Sequence, residues 1–243
     1  LQLTWMDAKI GDWVVTPRIG KPVEINALWY NALRIGAEIG AALGKDTDAR
    51  RFTREADRVY ASFNDRFWYT GGYLYDVVDS PEGDDPTLRP NQIFAVSLPF
   101  PLLEGERARV VDICARELVI SYGLRSLPPD ENEYIGHYGG EPADRDASYH
   151  QGTAWSWLLG PFVIAHYRAH GDAAAAYSYL EPMVDHLHDY GLGTIGELFD
   201  GDPAHAPRGC IAQAWGVGEI LRAWHELRPV LQPHRATMQS FAG

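Results

Sequence analysis

The chain has 243 residues, enough for one large domain or two small ones, with 46 % hydrophobic and 22 % charged residues. Its net charge is −12, and no run of Lys or Arg is present to neutralise a phosphate backbone, which argues against nucleic-acid binding. Two cysteines without a C-x-x-C pair indicate neither a disulfide framework nor a thiolate metal site, and they favour a cytoplasmic location. No apolar run is long enough to cross a membrane, so no membrane partner is predicted.

Helical periodicity dominates the chain, and it predicts seven helices. In chain order they cover about 25–43, 46–67, 92–100, 101–122, 150–170, 172–191 and 211–227. Strand signal is thin, and only residues 71–79 alternate enough to predict a short hairpin or an extended loop. The predicted fold class is therefore close to all-α.

Long connections separate the predicted helical pairs at 68–91, 123–149 and 192–209. Loops of this length in a compact domain are usually functional or disordered, and these contain Trp, Tyr, His, Asp and Asn rather than low-complexity sequence. Short loops at one end of helical pairs and long loops at the other are typical of an α/α toroid, with its site on the long-loop face. An α-solenoid is the alternative, but no repeat of fixed period is found. The tail, 231–243, is predicted to be poorly ordered.

The first candidate for chemistry is Asp7. Its apolar neighbours are expected to desolvate it, as a general acid at neutral pH requires; they are Trp5, Met6 and Trp13. The alternative is a loop aspartate that accepts backbone N–H bonds. Aromatic rings in loops beside acids and amides suit a pyranose, which offers an apolar face for stacking and hydroxyls for hydrogen bonds.

The second candidate lies in the loop 193–210, which contains four glycines, two prolines and three acids ahead of the last predicted helix. Glu197 or Asp200 is suited to act as a general base that holds a water. Asp200 and Gly201 are more simply explained as a turn, and Glu197 has the alternative of being a surface charge.

Weaker candidates for holding a sugar share a position in a loop or at a helix start, and some are expected to be core residues. They are Trp5, Trp29, Asp76, Arg89, Gln92, His150, Gln151, Trp155, Gln213 and Trp215. His150 has no second histidine at i+3 or i+4, so no metal site is predicted there.

Five separated segments together resemble the C-terminal amylo-α-1,6-glucosidase domain of glycogen debranching enzymes, the bacterial and archaeal type above all. They read TWMDA, VTPRIGKPVEINALWYNAL, LRPNQIFAVSLPF, YHQGTAWSWLLGPF and GELFDGDPAHAPRGCIAQAW, and the likeness extends from about residue 3 to residue 227. The resemblance implies an (α/α)6 barrel and an inverting hydrolysis of α-1,6-linked glucose without metal or cofactor. It implies that the acid of TWMDA, Asp7, is the general acid and that Glu197 is the general base.

The family's barrel has twelve helices against the seven predicted here. The resemblance therefore implies that residues 1–230 are the C-terminal portion of the catalytic domain. Half a toroid exposes an apolar edge, so a homo-oligomer is expected if this is the whole chain. The expected partners are glycogen, limit dextrin or malto-oligosaccharide. Two alternatives stay open: an exo-acting hydrolase of another α-glucoside, similar to glucoamylase or trehalase, and an inactive or sugar-binding fragment.

Overall fold

The computed structural model describes residues 4–231, and the predicted tail lies outside these residues except for Leu231. Nine α-helices form within the described part of the chain. They are α1 Val23–Ala42, α2 Asp46–Arg66, α3 Phe94–Ser97, α4 Val110–Glu117, α5 Pro142–Ser148, α6 Leu159–His170, α7 Ala173–Ser178, α8 Glu181–Asp189 and α9 Ala214–Leu231. None of these helices is both long and apolar enough to span a bilayer.

The all-α prediction is wrong, because the chain is about 51 % helix and 12 % strand and contains four sheets. The strands are β1 Lys9–Ile10, β2 Trp13–Val14, β3 Lys21–Pro22, β4 Trp68–Tyr69, β5 Tyr73–Leu74, β6 Val77–Ser80, β7 Gly83–Asp85, β8 Val119–Ile120, β9 Gly123–Arg125, β10 Ala154–Trp155, β11 Leu198–Phe199 and β12 Pro207–Arg208. Each is two to four residues long, too short for a period of two to stand out from its surroundings. The extended structure predicted for 71–79 is confirmed by β5 and β6.

The first helical hairpin, α1 with α2, lies close to its predicted position. Gly44 ends the first helix at φ +68°, a conformation that favours glycine, and Gly40 packs so tightly that an added Cβ would lie 3.1 Å from the backbone nitrogen of Ala49. The helical spacing of apolar residues over 25–43 predicts one inward-facing stripe, but most of that stripe is exposed. Its exposed members are Ile25, Leu28, Trp29, Ile35, Ile39 and Leu43.

The later helices are shorter than predicted. The helix predicted over 101–122 is helical as α4 only to Glu117, after which β8 pairs with β9. The helix predicted over 150–170 begins at Leu159, because Ala154 and Trp155 are extended and bonded to strands on both sides. The helix predicted over 172–191 is divided into α7 and α8, and a proline occupies the first turn of α8.

A five-stranded antiparallel sheet, in the order β12-β11-β10-β9-β8, positions the loops that carry the candidate residues. Its central strand β10 pairs with β11, so that Ala154 faces Phe199 and Trp155 faces Leu198. On the other side of β10, an added Cβ at Gly123 would lie 2.4 Å from the backbone oxygen of Trp155. The sheet therefore brings the segment before residue 154 beside the segment that ends at residue 197.

Candidate active site

Glu197 is half-buried, and its carboxylate is held by three donors from two other segments. Oε1 accepts a short hydrogen bond from the hydroxyl of Tyr149 and a longer one, 3.4 Å, from the side-chain amide of Gln213. Oε2 accepts the backbone N–H of Cys210 at 2.8 Å. Gly209 precedes this donor at φ +66°, and a Cβ there would lie 2.4 Å from Oε2. The carboxylate is thus fixed in one orientation.

The backbone of Glu197 is fixed as well. Its N–H donates to the carbonyl of Cys210 at 2.9 Å. Its carbonyl accepts both the backbone N–H of Ser156, at 3.3 Å, and the hydroxyl of Ser156, at 3.0 Å. Hydrogen bonds at both backbone groups leave little freedom for the side chain to leave the site.

Tyr149 lies within electrostatic reach of both candidate acids. Burial raises the pKa of Tyr149, and the hydrogen bond to Glu197, the charge of Glu197 and the charge of Asp7 raise it further. The phenol is therefore protonated at neutral pH and acts as a donor. Asp7 itself is exposed, so the expectation that its sequence neighbours bury it is wrong.

Trp5 joins the Asp7 segment to the Tyr149 segment. Its ring lies 5.2 Å from His150, 5.4 Å from Trp155 and 5.1 Å from Trp157 between centroids, edge-on in each case. Its Nε1–H donates to Oδ1 of Asn91 at 2.7 Å. These contacts hold the residue two positions before Asp7 inside an aromatic cluster, and edge-to-face packing of this kind is favourable.

A second pair of indoles lies at the start of α9. Trp215 stacks on Trp157 with centroids 3.8 Å apart, and it keeps 46 % of its surface exposed. Trp157 is buried, and its Nε1 has no hydrogen-bond partner among the described residues. Trp215 follows Gln213, a donor to Glu197, so an exposed indole lies two residues from a direct partner of the candidate base. A flat indole face of this kind is suited to stack on a pyranose.

Below these loops lies a buried ion cluster. The guanidinium of Arg18 donates to both oxygens of Asp76, at 2.7 and 2.9 Å, and to the carboxylate of Glu24. Burial disfavours the charged form of Arg18, but the charges of Asp76 and Glu24 outweigh it and raise the pKa of Arg18. Asn91 donates to Oδ1 of Asp76 at 2.8 Å, and Nε of Arg89 lies 3.9 Å from Oδ2. Asp76, a predicted sugar ligand, is 2 % exposed and engaged within the protein.

Arg89, His150 and Gln151 meet at one buried point. Arg89 donates to the carbonyls of Ser126 and His150 and to Oε1 of Gln151, each at 3.0 Å. Burial lowers the pKa of His150 to about 3, and the charges of Arg89 and Arg18 contribute to the shift, so the imidazole is neutral. Arg89 and Gln151 also line a cleft of about 480 Å³ beside the turn between β6 and β7.

Two further predicted ligands lie apart from the carboxylates. Gln92 is buried, accepts the backbone N–H of Leu74 and donates to the carbonyl of Arg89, each at 3.2 Å. Trp29 is 54 % exposed on α1. The structure therefore brings Trp5, His150, Trp155, Gln213 and Trp215 around the Tyr149 and Glu197 segments, and it places Gln92 and Trp29 elsewhere.

Asp200 is the other acid of this loop that the sequence offers as a general base, and its carboxylate accepts hydrogen bonds from other residues. Burial opposes its charge, but hydrogen bonds from Arg208 and from the backbone N–H of Tyr138 hold the pKa of Asp200 below its usual value. The Arg208 contact is 2.8 Å and the Tyr138 contact is also 2.8 Å. Across residues 4–231, no group of three or more His, Cys, Asp or Glu side chains is arranged to hold a metal.

Four residues of the site are not among those that the sequence singles out; they are Tyr149, Trp157, Gly209 and Cys210. Tyr149 and Trp157 both lie within the segment YHQGTAWSWLLGPF. The density of aromatic residues in this segment is the sequence feature that could have indicated them as site residues. Gly209 and Cys210 act through backbone geometry, which residue type alone does not reveal.

Comparison with known proteins decides the family. Residues 1–222 match the family model described as amylo-alpha-1,6-glucosidase. The chain belongs to the amylo-alpha-1,6-glucosidase family. This is a family of glycoside hydrolases.

Relatives agree with this membership. The glycogen debranching enzyme of Saccharomyces cerevisiae is 28 % identical over 211 residues, which cover 69 % of this chain and 14 % of that protein. An uncharacterized conserved protein from Thermus thermophilus is 17 % identical, with a TM-score of 0.62 over 84 % of this chain and 46 % of that one. A GH63 mannosylglycerate hydrolase from the same organism, in complex with glucose, is 15 % identical, with a TM-score of 0.62 over 84 % of this chain and 47 % of that one. The two Thermus proteins share the fold, and the chain spans less than half of their length.

Proposed function

We propose that the chain carries the active site of an exo-acting α-1,6-glucosidase, which removes α-1,6-linked glucose from glycogen or limit-dextrin branches with inversion. Asp7 is the general acid and Glu197 the general base in this proposal. The observation that carries it is the position of Tyr149. Its hydroxyl donates a hydrogen bond to Glu197, and the charge of Asp7 contributes to its raised pKa. Membership of the family supports the choice of linkage.

The chemistry needs only these two carboxyl groups. Asp7, protonated, donates to the glycosidic oxygen while the bond from that oxygen to C1 breaks. Glu197, ionised, takes a proton from a water whose oxygen bonds to C1 from the opposite face. Glucose leaves with inverted configuration, and such a pair works at a separation of roughly 6.5–9.5 Å, which leaves room for the water.

The sugar contacts also remain proposals. Trp215 offers an exposed ring face near Gln213, and the cleft at Arg89 and Gln151 adjoins the same loops. We propose that residues 1–230 act as one portion of a catalytic domain. The exposed apolar residues of α1 are suited to contact further helices, from a second copy or from the same polypeptide.

Glucose release from a phosphorylase-limit dextrin, measured beside maltose and trehalose, tests the proposal. Asp7→Asn and Glu197→Gln should each lower kcat about 10²–10⁴-fold, the usual contribution of general acid–base catalysis. Asp65→Asn and Glu181→Gln change exposed acids on α2 and α8 and serve as matched controls that keep full turnover.

Proton NMR of the first product distinguishes the mechanisms. β-Glucose from the limit dextrin supports inversion, and α-glucose contradicts it. Glucose from maltose or trehalose alone would favour a hydrolase of another α-glucoside. Binding of malto-oligosaccharide without any release would identify a sugar-binding fragment.

A further inference from the structure

The two oxygens of Glu197 are not equivalent. An ionised carboxylate offers about four lone-pair sites, two on each oxygen. At Oε1 the hydroxyl of Tyr149 and the amide of Gln213 take both. At Oε2 the N–H of Cys210 takes one. One acceptor site is left, and it is on Oε2.

The Oε2 side of the Glu197 carboxylate lies in close contact with Gly209. Gly209 borders the oxygen, and a Cβ at this position would lie 2.4 Å from Oε2 and 3.2 Å from Cδ of Glu197. A residue with a side chain would therefore displace the carboxylate. Glycine lets the carboxylate keep this orientation, in which one acceptor site of Oε2 has no donor from the described residues.

Tyr149 is itself held rigidly. Its backbone carbonyl accepts the hydroxyl of Thr153 at 2.6 Å and Nε1–H of Trp155 at 3.0 Å. Its ring packs against Trp155, with centroids 4.8 Å apart, and against Tyr138, with centroids 5.6 Å apart. The hydroxyl therefore has a fixed place from which to orient a carboxylate 48 residues further along the chain.

We propose that Tyr149 is a positioning residue, whose hydroxyl saturates Oε1 together with Gln213 and leaves Oε2 as the oxygen that takes the proton from water. The water O–H bond breaks, its oxygen bonds to C1, and the proton moves to Oε2, while the proton of Asp7 goes to the leaving oxygen. Tyr149 loses no proton in this step. The role assigned to Tyr149 rests on the proposed function of Glu197 as the base.

The hydrogen bonds to the Glu197 carboxylate affect how kcat depends on pH. Tyr149 and Tyr138 are the titratable groups that face Glu197, with Asp7 beyond Tyr149. No ion pair joins Glu197 to a Lys, Arg or His anywhere in residues 4–231. Because hydrogen bonds rather than a cation stabilise the ionised carboxylate, removing one donor makes protonation easier. The acidic limb of the kcat profile must then move to higher pH.

Tyr149→Phe removes only the hydroxyl and is the central test. Loss of a hydrogen bond to a charged group should lower kcat about tenfold to a hundredfold and move the acidic limb up by about one pH unit, with KM unchanged. Tyr60→Phe is the matched control, since it removes a hydroxyl from an exposed tyrosine of α2 that makes no hydrogen bond to Glu197. A Tyr149→Phe profile that coincides with the unmodified protein overturns the proposal.

Titration of the Glu197 carboxyl by ¹³C NMR separates this proposal from the proposed function. The signal is assigned by its loss in Glu197→Gln, and it needs no turnover. If the unmodified chain releases no glucose from any substrate, the proposed function fails. A higher titration midpoint in Tyr149→Phe then still supports the hydrogen-bonding role, and an unchanged midpoint overturns it.

Should Tyr149→Phe unfold, a 3-fluorotyrosine introduced at position 149 keeps the ring and the hydroxyl. Fluorine makes the hydroxyl a stronger donor, so the titration midpoint of Glu197 should move to lower pH. No movement in that variant overturns the proposal independently of the phenylalanine substitution.

Discussion

Gly209→Ala tests the geometry around Glu197 directly, because Gly44 provides a control with nearly the same backbone. Gly209 has φ +66° and Gly44 has φ +68°, and a side chain is strained at both. An added Cβ at Gly44 meets nothing within 4 Å, whereas at Gly209 it would lie 2.4 Å from Oε2 of Glu197. The two alanine variants therefore share the backbone strain and differ in the contact with the carboxylate.

The expected magnitudes follow from these distances. Left-handed backbone costs a residue with a Cβ about 1–2 kcal/mol, which lowers Tm by about 2–8 °C in a chain of this size. Ordinary Cβ contacts begin at 3.4 Å, so the carboxylate must move by about 1 Å from its 2.4 Å position in Gly209→Ala. A misplacement of about 1 Å at a reacting group costs on the order of a hundredfold in rate.

The assay compares glucose release and thermal unfolding in the two variants. Gly209→Ala should lose about a hundredfold in kcat with a Tm close to that of Gly44→Ala, which should keep full turnover. Equal turnover in both variants would show that the position of the Glu197 carboxylate does not affect catalysis, and it would refute this account of the base.

Two further predictions concern the core and the thiols. Arg18→Met should destabilise the protein by about 3–5 kcal/mol in urea unfolding, because the buried carboxylates of Glu24 and Asp76 lose their cation; a loss below about 1 kcal/mol would contradict that cost. At pH 8, iodoacetamide should modify the exposed Cys210 and spare Cys114, because burial raises the pKa of Cys114 to about 12 and keeps it a thiol. Mass spectrometry of the folded protein that finds Cys114 modified first would contradict this assignment.

The long helices could be predicted from the sequence, because about 20 residues of 3.6-residue periodicity are hard to mistake. The prediction 46–67 for α2 differs by one residue from Asp46–Arg66. Which apolar stripe of α1 faces inward could not be predicted, since Val23, Ala27 and Tyr30 turn in instead. Periodicity establishes that a helix has faces, and only tertiary packing selects one of them.

The candidate site could be predicted only in part. Glu197 stands out through its loop and its motif, but its contact with Tyr149 depends on the pairing of β10 with β11, which two-residue strands do not reveal. The expected burial of Asp7 failed for a local reason. Met6 and Ala8 are buried while Asp7 between them is exposed, the alternation of an extended segment. The side chains of Met6 and Ala8 therefore point to the opposite side from Asp7 and do not cover it.

The pairing of β10 with β11 limits where the chain tolerates a change in length. Side chains in a strand alternate between faces, so one residue inserted next to a paired strand turns the following side chains to the opposite face. Ala154 and Trp155 are in register with Phe199 and Leu198, and an insertion between Tyr149 and Ala154 would separate the Tyr149 hydroxyl from Glu197. The long connection 126–141 is under the same limit, because the N–H of Ile135 donates to the carbonyl of Gln151 at 2.6 Å and the carbonyl of Gly136 accepts the N–H of Gly201 at 2.7 Å.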